Sequence, residues 1–124
     1  MNGINYVFDT NALIYFLQGN PHLSSFTSFK SIAISILTIL EFRSFKEIGE
    51  ADKKLLADLL KKIEVIDLKK DDIDLIEDII DIRTNYKIKL PDAIIAATAL
   101  YKNAVLVTND QNFSKIPALR KLNY

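Results

Sequence analysis

The sequence predicts an α/β fold in which a mostly parallel sheet is covered by helices on both faces. Two observations predict it. Short apolar runs rich in β-branched and aromatic residues end abruptly at polar residues, and longer amphipathic stretches lie between them. Strands that alternate with helices are typical of parallel sheets, because each crossover helix covers one face. A chain of 124 residues suits one domain, and we expect residues 1–124 to form it.

The first half of the chain predicts two strands and three helices. The apolar run at 4–8 is short and bounded by polar residues, as in a buried strand, and 32–36 has the same character. A polar start and a glycine stop frame a helix at 12–17. Apolar residues at helical spacing predict helices at 37–48 and 51–63, the second with lysines on its opposite side.

The second half continues the alternation. Residues 65–68 predict a short strand, and 71–85 a helix whose acidic first turn suits the helix dipole. A proline near its start opens the helix at 92–102. Residues 104–107 predict another strand, and 118–122 a short edge strand.

Composition excludes several kinds of site and partner. Without cysteine the chain has no disulfide, thiol nucleophile or cysteine-bound zinc, and its single histidine, His22, rules out a histidine-rich metal site. Sixteen basic and sixteen acidic residues give no bulk positive charge to hold nucleic acid. The chain has no run of 18 or more apolar residues, so no membrane span is predicted, and residues 1–5 lack the basic region of a signal peptide. We expect a soluble cytoplasmic domain with no membrane partner.

Four acidic residues stand apart because their sequence neighbours are apolar: Asp9, Glu41, Asp92 and Asp110. Burial of a carboxylate costs several kcal/mol, on the order of the penalty for buried ions, unless something compensates. Asp9 and Asp110 follow predicted strands and Asp92 opens a helix, so these acids are expected at the carboxyl ends of the strands, where α/β sheets bind ligands. Oxygen ligands alone favour Mg²⁺ or Mn²⁺, and such a site suits phosphoryl transfer.

Each of these acids also has a structural explanation. Asp9 could cap a helix, Glu41 could lie on a solvated face, Asp92 could complement a helix dipole, and Asp110 could be a turn residue. The acids of 71–81 are typical of a solvated helix face. The four isolated acids are harder to explain jointly, because all follow one pattern.

Four segments of the chain resemble the motifs of PIN-domain ribonucleases, especially the VapC-type toxins of toxin–antitoxin pairs, and they occur in the same order. They are residues 6–14 (YVFDTNALI), 38–42 (TILEF), 90–99 (LPDAIIAATA) and 106–110 (LVTND). The resemblance implies a three-layer α/β/α sandwich around a sheet of about five strands, and a Mg²⁺- or Mn²⁺-dependent endoribonuclease that cuts RNA.

The resemblance also implies roles for individual residues. Asp9, Glu41, Asp92 and Asp110 would be catalytic, with Asp9, Asp92 and Asp110 close to the metal ion. Four polar residues would support the ligands or a water through hydrogen bonds: Thr10, Asn11, Thr108 and Asn112. Asn112 stands where family members often carry a further acid, which favours one well-held metal ion over two.

RNA and protein partners follow from the same interpretation. The acidic pocket needs cations to hold RNA, and the candidates are Arg43, Lys46, Lys87, Lys89 and Lys115. The resemblance further implies a homodimer and a small antitoxin protein. Among Tyr15, Phe16, Phe26 and Phe29, those outside the core could serve such a partner face.

Three other functions remain open from sequence. An aspartyl-nucleophile phosphatase needs a second acid two residues after Asp9, where Asn11 stands. A phospho-receiver domain needs adjacent acids after the first strand and a lysine near Thr108, and the chain has neither. A PIN-like scaffold that binds partners without cutting is supported only by the uncharged Asn112. The sequence does not identify the RNA that would be cut.

Overall fold

The computed structural model of the protein describes residues 5–26 and 28–124. Ile4, the first residue of the first predicted strand, and the rest of 1–4 lie outside the described residues. Five strands pair in parallel in the order β3-β2-β1-β4-β5. They are β1 (Tyr6–Phe8), β2 (Ile32–Ser35), β3 (Glu64–Ile66), β4 (Val105–Val107) and β5 (Lys121–Leu122). The predicted parallel sheet of about five strands is confirmed.

Five α-helices connect the strands in the described part of the chain. They are α1 (Thr10–Leu17), α2 (Ile36–Ser44), α3 (Glu50–Leu60), α4 (Ile73–Tyr86) and α5 (Leu90–Tyr101). Two short 3-10 turns, Phe29–Ser31 and Gln111–Lys115, precede β2 and follow β4. None of the helices in residues 5–26 and 28–124 combines the length and apolarity that crossing a bilayer would need.

Two apolar cores, one on each face of the sheet, make the fold a three-layer sandwich. Neighbouring strand residues point to opposite faces. Val7 and Leu106 therefore enter the core covered by α4 and α5, whereas Phe8 and Val107 enter the core that contains α1 and α3. All four side chains are fully buried. The central strands thus read as continuous apolar runs, because they are covered on both faces, and the α/β/α prediction is confirmed.

The predicted boundaries around α2 are wrong at both ends. The predicted strand 32–36 stops one residue early, because the side chain of Ser35 accepts a hydrogen bond from the backbone N–H of Leu37 and caps α2. The predicted helix 37–48 ends at Ser44, since Phe45 has an extended backbone with φ −73° and ψ 134°. Ile48 continues the apolar spacing but packs against the core from the following turn.

The predicted helix 51–63 also extends too far. The helix α3 ends at Leu60, and Ile63, only 9% exposed, fills the core from the turn before β3. An apolar residue at helical spacing can therefore be core without being helix. The predicted edge strand within 118–122 is reduced to the two residues of β5.

Candidate active site

The four isolated acids come from four different elements and line one pocket of about 130 Å³. Asp9 follows β1 directly, Asp110 lies three residues after β4, Glu41 is on α2, and Asp92 is in the first turn of α5. Because β1, β2 and β4 are adjacent and parallel, their carboxyl ends meet at one edge of the sheet. This is the edge where open α/β sheets bind ligands.

Asp9 is the most deeply buried of the four, with 6% of the residue exposed. Its Oδ1 accepts a hydrogen bond of 2.8 Å from the backbone N–H of Ala12, which caps α1, and its Oδ2 accepts one from the hydroxyl of Thr108. Burial raises the pKa of Asp9 above its ordinary value, and the nearby charges of Asp110 and Asp92 add to that rise. The two hydrogen bonds oppose it by stabilising the ionised carboxylate.

Asp92 is half-buried and also has a raised pKa. Burial is the main cause, followed by the charges of Asp110 and Glu41, while Lys89 acts in the opposite direction. The other acids of the pocket therefore disfavour the ionised form of each of these two aspartates. A bound cation would relieve that repulsion.

Glu41 and Asp110 are held by hydrogen bonds within the site. The hydroxyl of Thr10 donates to Oε1 of Glu41 at 2.6 Å and so links α1 to α2. Asp110 accepts from the backbone N–H of Asn112 at 2.9 Å and caps the following 3-10 turn. Its own N–H donates to the Thr108 hydroxyl at 3.0 Å, so Thr108 connects Asp9 to Asp110.

The donor set fits a hydrated divalent cation better than a closed metal cage. All charged donors are carboxylates, as Mg²⁺ and Mn²⁺ prefer. Within residues 5–26 and 28–124, however, no three acidic or histidine side chains lie close enough together to form a ready metal-binding group. Repulsion between like charges favours such a spread. Mg²⁺ usually keeps several waters, which could complete its coordination between separated carboxylates.

Sequence reasoning placed all four acids in apolar surroundings, and for Asp110 this is wrong. The apolar side chains before it belong to β4, and the chain has reached the surface by residue 110, where Asp110 is exposed. The side chains of Thr10 and Thr108 make the hydrogen bonds described above, and Asn11 lines the pocket. Asn112 does not line the acidic pocket but the cavity beside it.

Sequence reasoning missed the apolar part of the pocket wall and a contact at the end of the chain. Phe45, Ile95 and Phe113 line the pocket, and no local pattern marks them. The side-chain amide of Asn109 holds the main chain of Tyr124, accepting from its N–H at 2.8 Å and donating to its carbonyl at 3.0 Å. Burial, with the charge of Asp9 next, raises the pKa of Tyr124 to about 12.

Three of the five predicted RNA-binding cations adjoin the acidic pocket. Lys87, Lys89 and Lys115 line a second cavity of about 300 Å³, which shares Asp92 and Asp110 with the acidic pocket. The other two, Arg43 and Lys46, are exposed and line neither cavity. The fold therefore separates the five candidates into two groups.

The sequence profile of the PIN domain family matches residues 6–119. This match spans most of the chain, so the protein belongs to the PIN domain family, as the motifs predicted. A comparison with curated protein sequences gives no match.

Solved structures with the same fold include chains of toxin–antitoxin complexes. One is in the VapBC2 complex of Rickettsia felis bound to a promoter DNA fragment, with 26% identity and a TM-score of 0.78 over 98% of this chain and 99% of that chain. Another is in a toxin–antitoxin complex of Klebsiella pneumoniae, with 29% identity and a TM-score of 0.74 over 93% and 95% of the two chains. DNA-bound VapBC of Salmonella typhimurium, with 23% identity and a TM-score of 0.78 over 98% of both chains, shows the shared fold alone.

Proposed function

We propose that the protein is a divalent-metal-dependent endoribonuclease and acts as the toxin of a VapBC-type toxin–antitoxin pair. The observation that carries the proposal is the convergence of Asp9, Glu41, Asp92 and Asp110, from four elements, on one pocket. Membership of the PIN domain family and the likeness to chains of VapBC complexes support it. The nuclease domain is proposed to span residues 1–124 and to work in the cytoplasm, where its RNA would be.

In this proposal Asp9, Asp92 and Asp110 would hold one Mg²⁺ or Mn²⁺ ion, directly or through water. The ion would polarise a phosphodiester oxygen and lower the pKa of a bound water. Thr108 orients Asp9 through its hydrogen bond and thereby sets the position of one ligand.

The protein's own residues then handle the water and its proton. Glu41, oriented by Thr10, or Asp92, which lines the same pocket, would accept a proton from the attacking water. The water oxygen bonds to phosphorus in line with the bond to the 3′ oxygen, which breaks and leaves with a proton from solvent. The products are a 5′-phosphate and a 3′-hydroxyl. A 2′,3′-cyclic phosphate among the products would contradict this mechanism.

A single metal ion is proposed because Asn112 supplies no charge where relatives often have a further acid. Its side chain lines the neighbouring cavity, and among the described residues four acids line the acidic pocket. Calorimetric titration with Mn²⁺ should give one tight site per chain, and two tight sites would contradict the proposal.

An antitoxin protein and a second copy of the chain are the proposed partners. Support comes from similar chains that were solved in toxin–antitoxin complexes and from exposed apolar side chains. Tyr15 on α1 is 47% exposed, whereas Phe16, Phe26 and Phe29 are half-buried against the core. Tyr15 is therefore the member of the aromatic group best placed to contact a partner.

Cleavage of end-labelled RNA by the purified protein tests the activity. Cutting should require Mg²⁺ or Mn²⁺, stop with chelator, and be lost in Asp9→Asn. Asp71→Asn, which removes an exposed acid outside the pocket, should cut normally.

The second candidate is a PIN-like scaffold that binds partners without cutting. The spread of the carboxylates, with no three of them grouped tightly in the described part of the chain, favours it. A folded protein that binds no divalent metal would support this candidate over the nuclease.

A further inference from the structure

Beside the acidic pocket lies a cavity lined by three lysines, which we name the lysine pocket: Lys87, Lys89 and Lys115. It measures about 300 Å³, and Asp92 and Asp110 form a wall common to both cavities. A ligand that occupies both cavities must pass over this wall. It would meet carboxylates on one side and ammonium groups on the other.

The fold holds the backbone of these lysines in place through buried neighbours. Lys87 and Lys89 belong to the short connection between α4 and α5, and Ile88 between them is only 4% exposed. Lys87 has a left-handed backbone, with φ 55° and ψ 44°, that turns the chain. Lys115 ends the 3-10 turn after Asp110, next to the buried Ile116.

The three ammonium groups are also available for a ligand. Within residues 5–26 and 28–124, the ion pairs are formed by other lysines, Lys53 with Glu50 and Lys102 with Glu64. Lys89 lies three residues before Asp92 and lines the same cavity, so its charge lies near the common wall. Lysine binds phosphate as a point charge without needing a fixed hydrogen-bond geometry.

We propose that the lysine pocket binds a phosphate adjacent to the one that is cut, so that the enzyme recognises at least two consecutive phosphates of a single RNA strand. This inference rests on the proposed nuclease function, and it names a binding site for the substrate beyond the reacting group. A lone anion would gain little from the lysine pocket, because Asp92 and Asp110 repel it at the common wall. A polyphosphate strand places one phosphate in each cavity, where a divalent ion and the lysines neutralise them separately.

The salt dependence of RNA binding tests the proposal without any cleavage. Binding of a labelled single-stranded RNA is measured by anisotropy in chelator over a range of salt concentrations. The test variant is K87Q/K89Q/K115Q, and the matched control is K54Q/K61Q/K69Q, which removes three exposed lysines that line neither cavity. Thermal melting establishes that both variants are folded.

For single strands the slope of log K against log salt is about −0.7 per neutralised phosphate. The test variant should therefore lose about 0.7 of slope, because the proposal places one phosphate in the lysine pocket. The control should keep the wild-type slope. Equal slopes for wild type and test variant would overturn the proposal and leave the lysines as candidate contacts for an acidic protein.

Short ligands provide a second arm. NMR shifts of the protein should show that a dinucleoside monophosphate, with one phosphate, binds wild type and test variant alike. A trinucleoside diphosphate should bind wild type more tightly, and the test variant should lose that gain. Equal affinity of wild type for both ligands would contradict a two-phosphate site.

These experiments distinguish a failure of the lysine pocket proposal from a failure of the nuclease proposal. If wild type cuts RNA and the test variant binds and cuts equally well, the lysine pocket proposal fails alone. If wild type cuts no RNA but the slope changes as expected, the nuclease proposal fails and the lysine pocket stands as a nucleic-acid site.

Discussion

Replacement of Thr108 by valine should destabilise the protein, and by more at neutral than at acidic pH. The Thr108 hydroxyl donates to the carboxylate of Asp9 and accepts from the backbone N–H of Asp110. The residue is 1% exposed, so valine, which has nearly the same shape, keeps the packing while removing both hydrogen bonds. The variant therefore isolates the polar contribution of one hydroxyl.

The size of the effect depends on the charge of Asp9. A hydrogen bond to a charged group contributes about 1.5–3 kcal/mol, against about 0.5–1.5 kcal/mol for a neutral pair. Loss of the hydroxyl should thus lower the free energy of unfolding by about 2 kcal/mol when Asp9 is ionised. The amide of Asp110 is at a partly exposed position, so water can replace its partner.

The sign of the pH dependence follows from the raised pKa of Asp9. A carboxyl group with a raised pKa in the folded state contributes stability below its unfolded pKa, near 3.8, and loses that contribution as the pH rises through the folded value. The Thr108 hydroxyl lowers the pKa of Asp9, so without it the pKa rises further. The difference in stability between wild type and Thr108→Val should therefore widen as the pH increases from 4 to neutrality.

Urea unfolding in chelator at several pH values measures this difference. Thr98→Val is the matched control, because Thr98 is 2% exposed and donates only to the backbone carbonyl of Ile94. Thr108→Ser, which keeps the hydroxyl, should remain closer to wild type in pH dependence. The reasoning is refuted if Thr108→Val and Thr98→Val lose the same stability at every pH.

Three further predictions concern the same pocket. Mg²⁺ should raise the free energy of unfolding, by about 2.7 kcal/mol at 100 times its dissociation constant. The increase should be smaller at pH 5 than at pH 7, because protons compete for the carboxylates. Equal shifts at both pH values in thermal melts would contradict this prediction. In steady-state cleavage assays Thr10→Val should lower kcat more than it raises KM, because Glu41 loses its hydrogen bond while RNA contacts remain. Thr10→Ser keeps the hydroxyl and should restore the rate. Ultraviolet titration of wild type minus Tyr124→Phe should show a phenol with a pKa of about 12, and Asp9→Asn should lower that value by removing a nearby negative charge. An ordinary pKa near 10 would contradict the burial of this phenol.

The sequence predicted the fold well where burial on two faces leaves a continuous apolar run, as in β1 and β4. It failed at boundaries where an apolar residue fits helical spacing but packs from a turn. Ile48 and Ile63 are the examples, because both contribute to the core beyond the ends of α2 and α3. Periodicity reports which residues face the core and does not distinguish a helix from the turn after it.

The sequence could suggest that the four acids lie close together, but it could not show the contacts around them. The motifs identified the four acids, because each lies within or next to an apolar stretch of sequence. The contacts that orient them join distant parts of the chain: Thr10 to Glu41 across 31 residues and Thr108 to Asp9 across 99. No local sequence pattern predicts such pairs, and none predicts the exposure of Asp110. The lysine pocket has the same origin, since it forms only when the α4–α5 connection meets the turn after β4.

Among the described residues the acids of the pocket form no ion pairs, and this lack of pairing should reduce the stability of the protein. In the described part of the chain no lysine or arginine pairs with Asp9, which is stabilised as an anion by two hydrogen bonds only. A paired lysine would compete with a divalent ion for the carboxylate. In the proposed function, lysines one cavity away would leave the acids able to bind a cation and would still attract phosphate.

The variant Asp9→Asn tests the effect of the Asp9 charge on stability separately from its effect on RNA cleavage. Asparagine can cap α1 as aspartate does, and it removes a charge that burial and two nearby acids disfavour. In chelator at neutral pH the variant should therefore be at least as stable as wild type to urea, although it cuts no RNA. With Mg²⁺ present the order should reverse, because wild type gains binding free energy that the variant lacks. A variant clearly less stable than wild type in chelator at neutral pH would show that the charge of Asp9 is needed for folding and would refute the argument that it is retained for binding a cation.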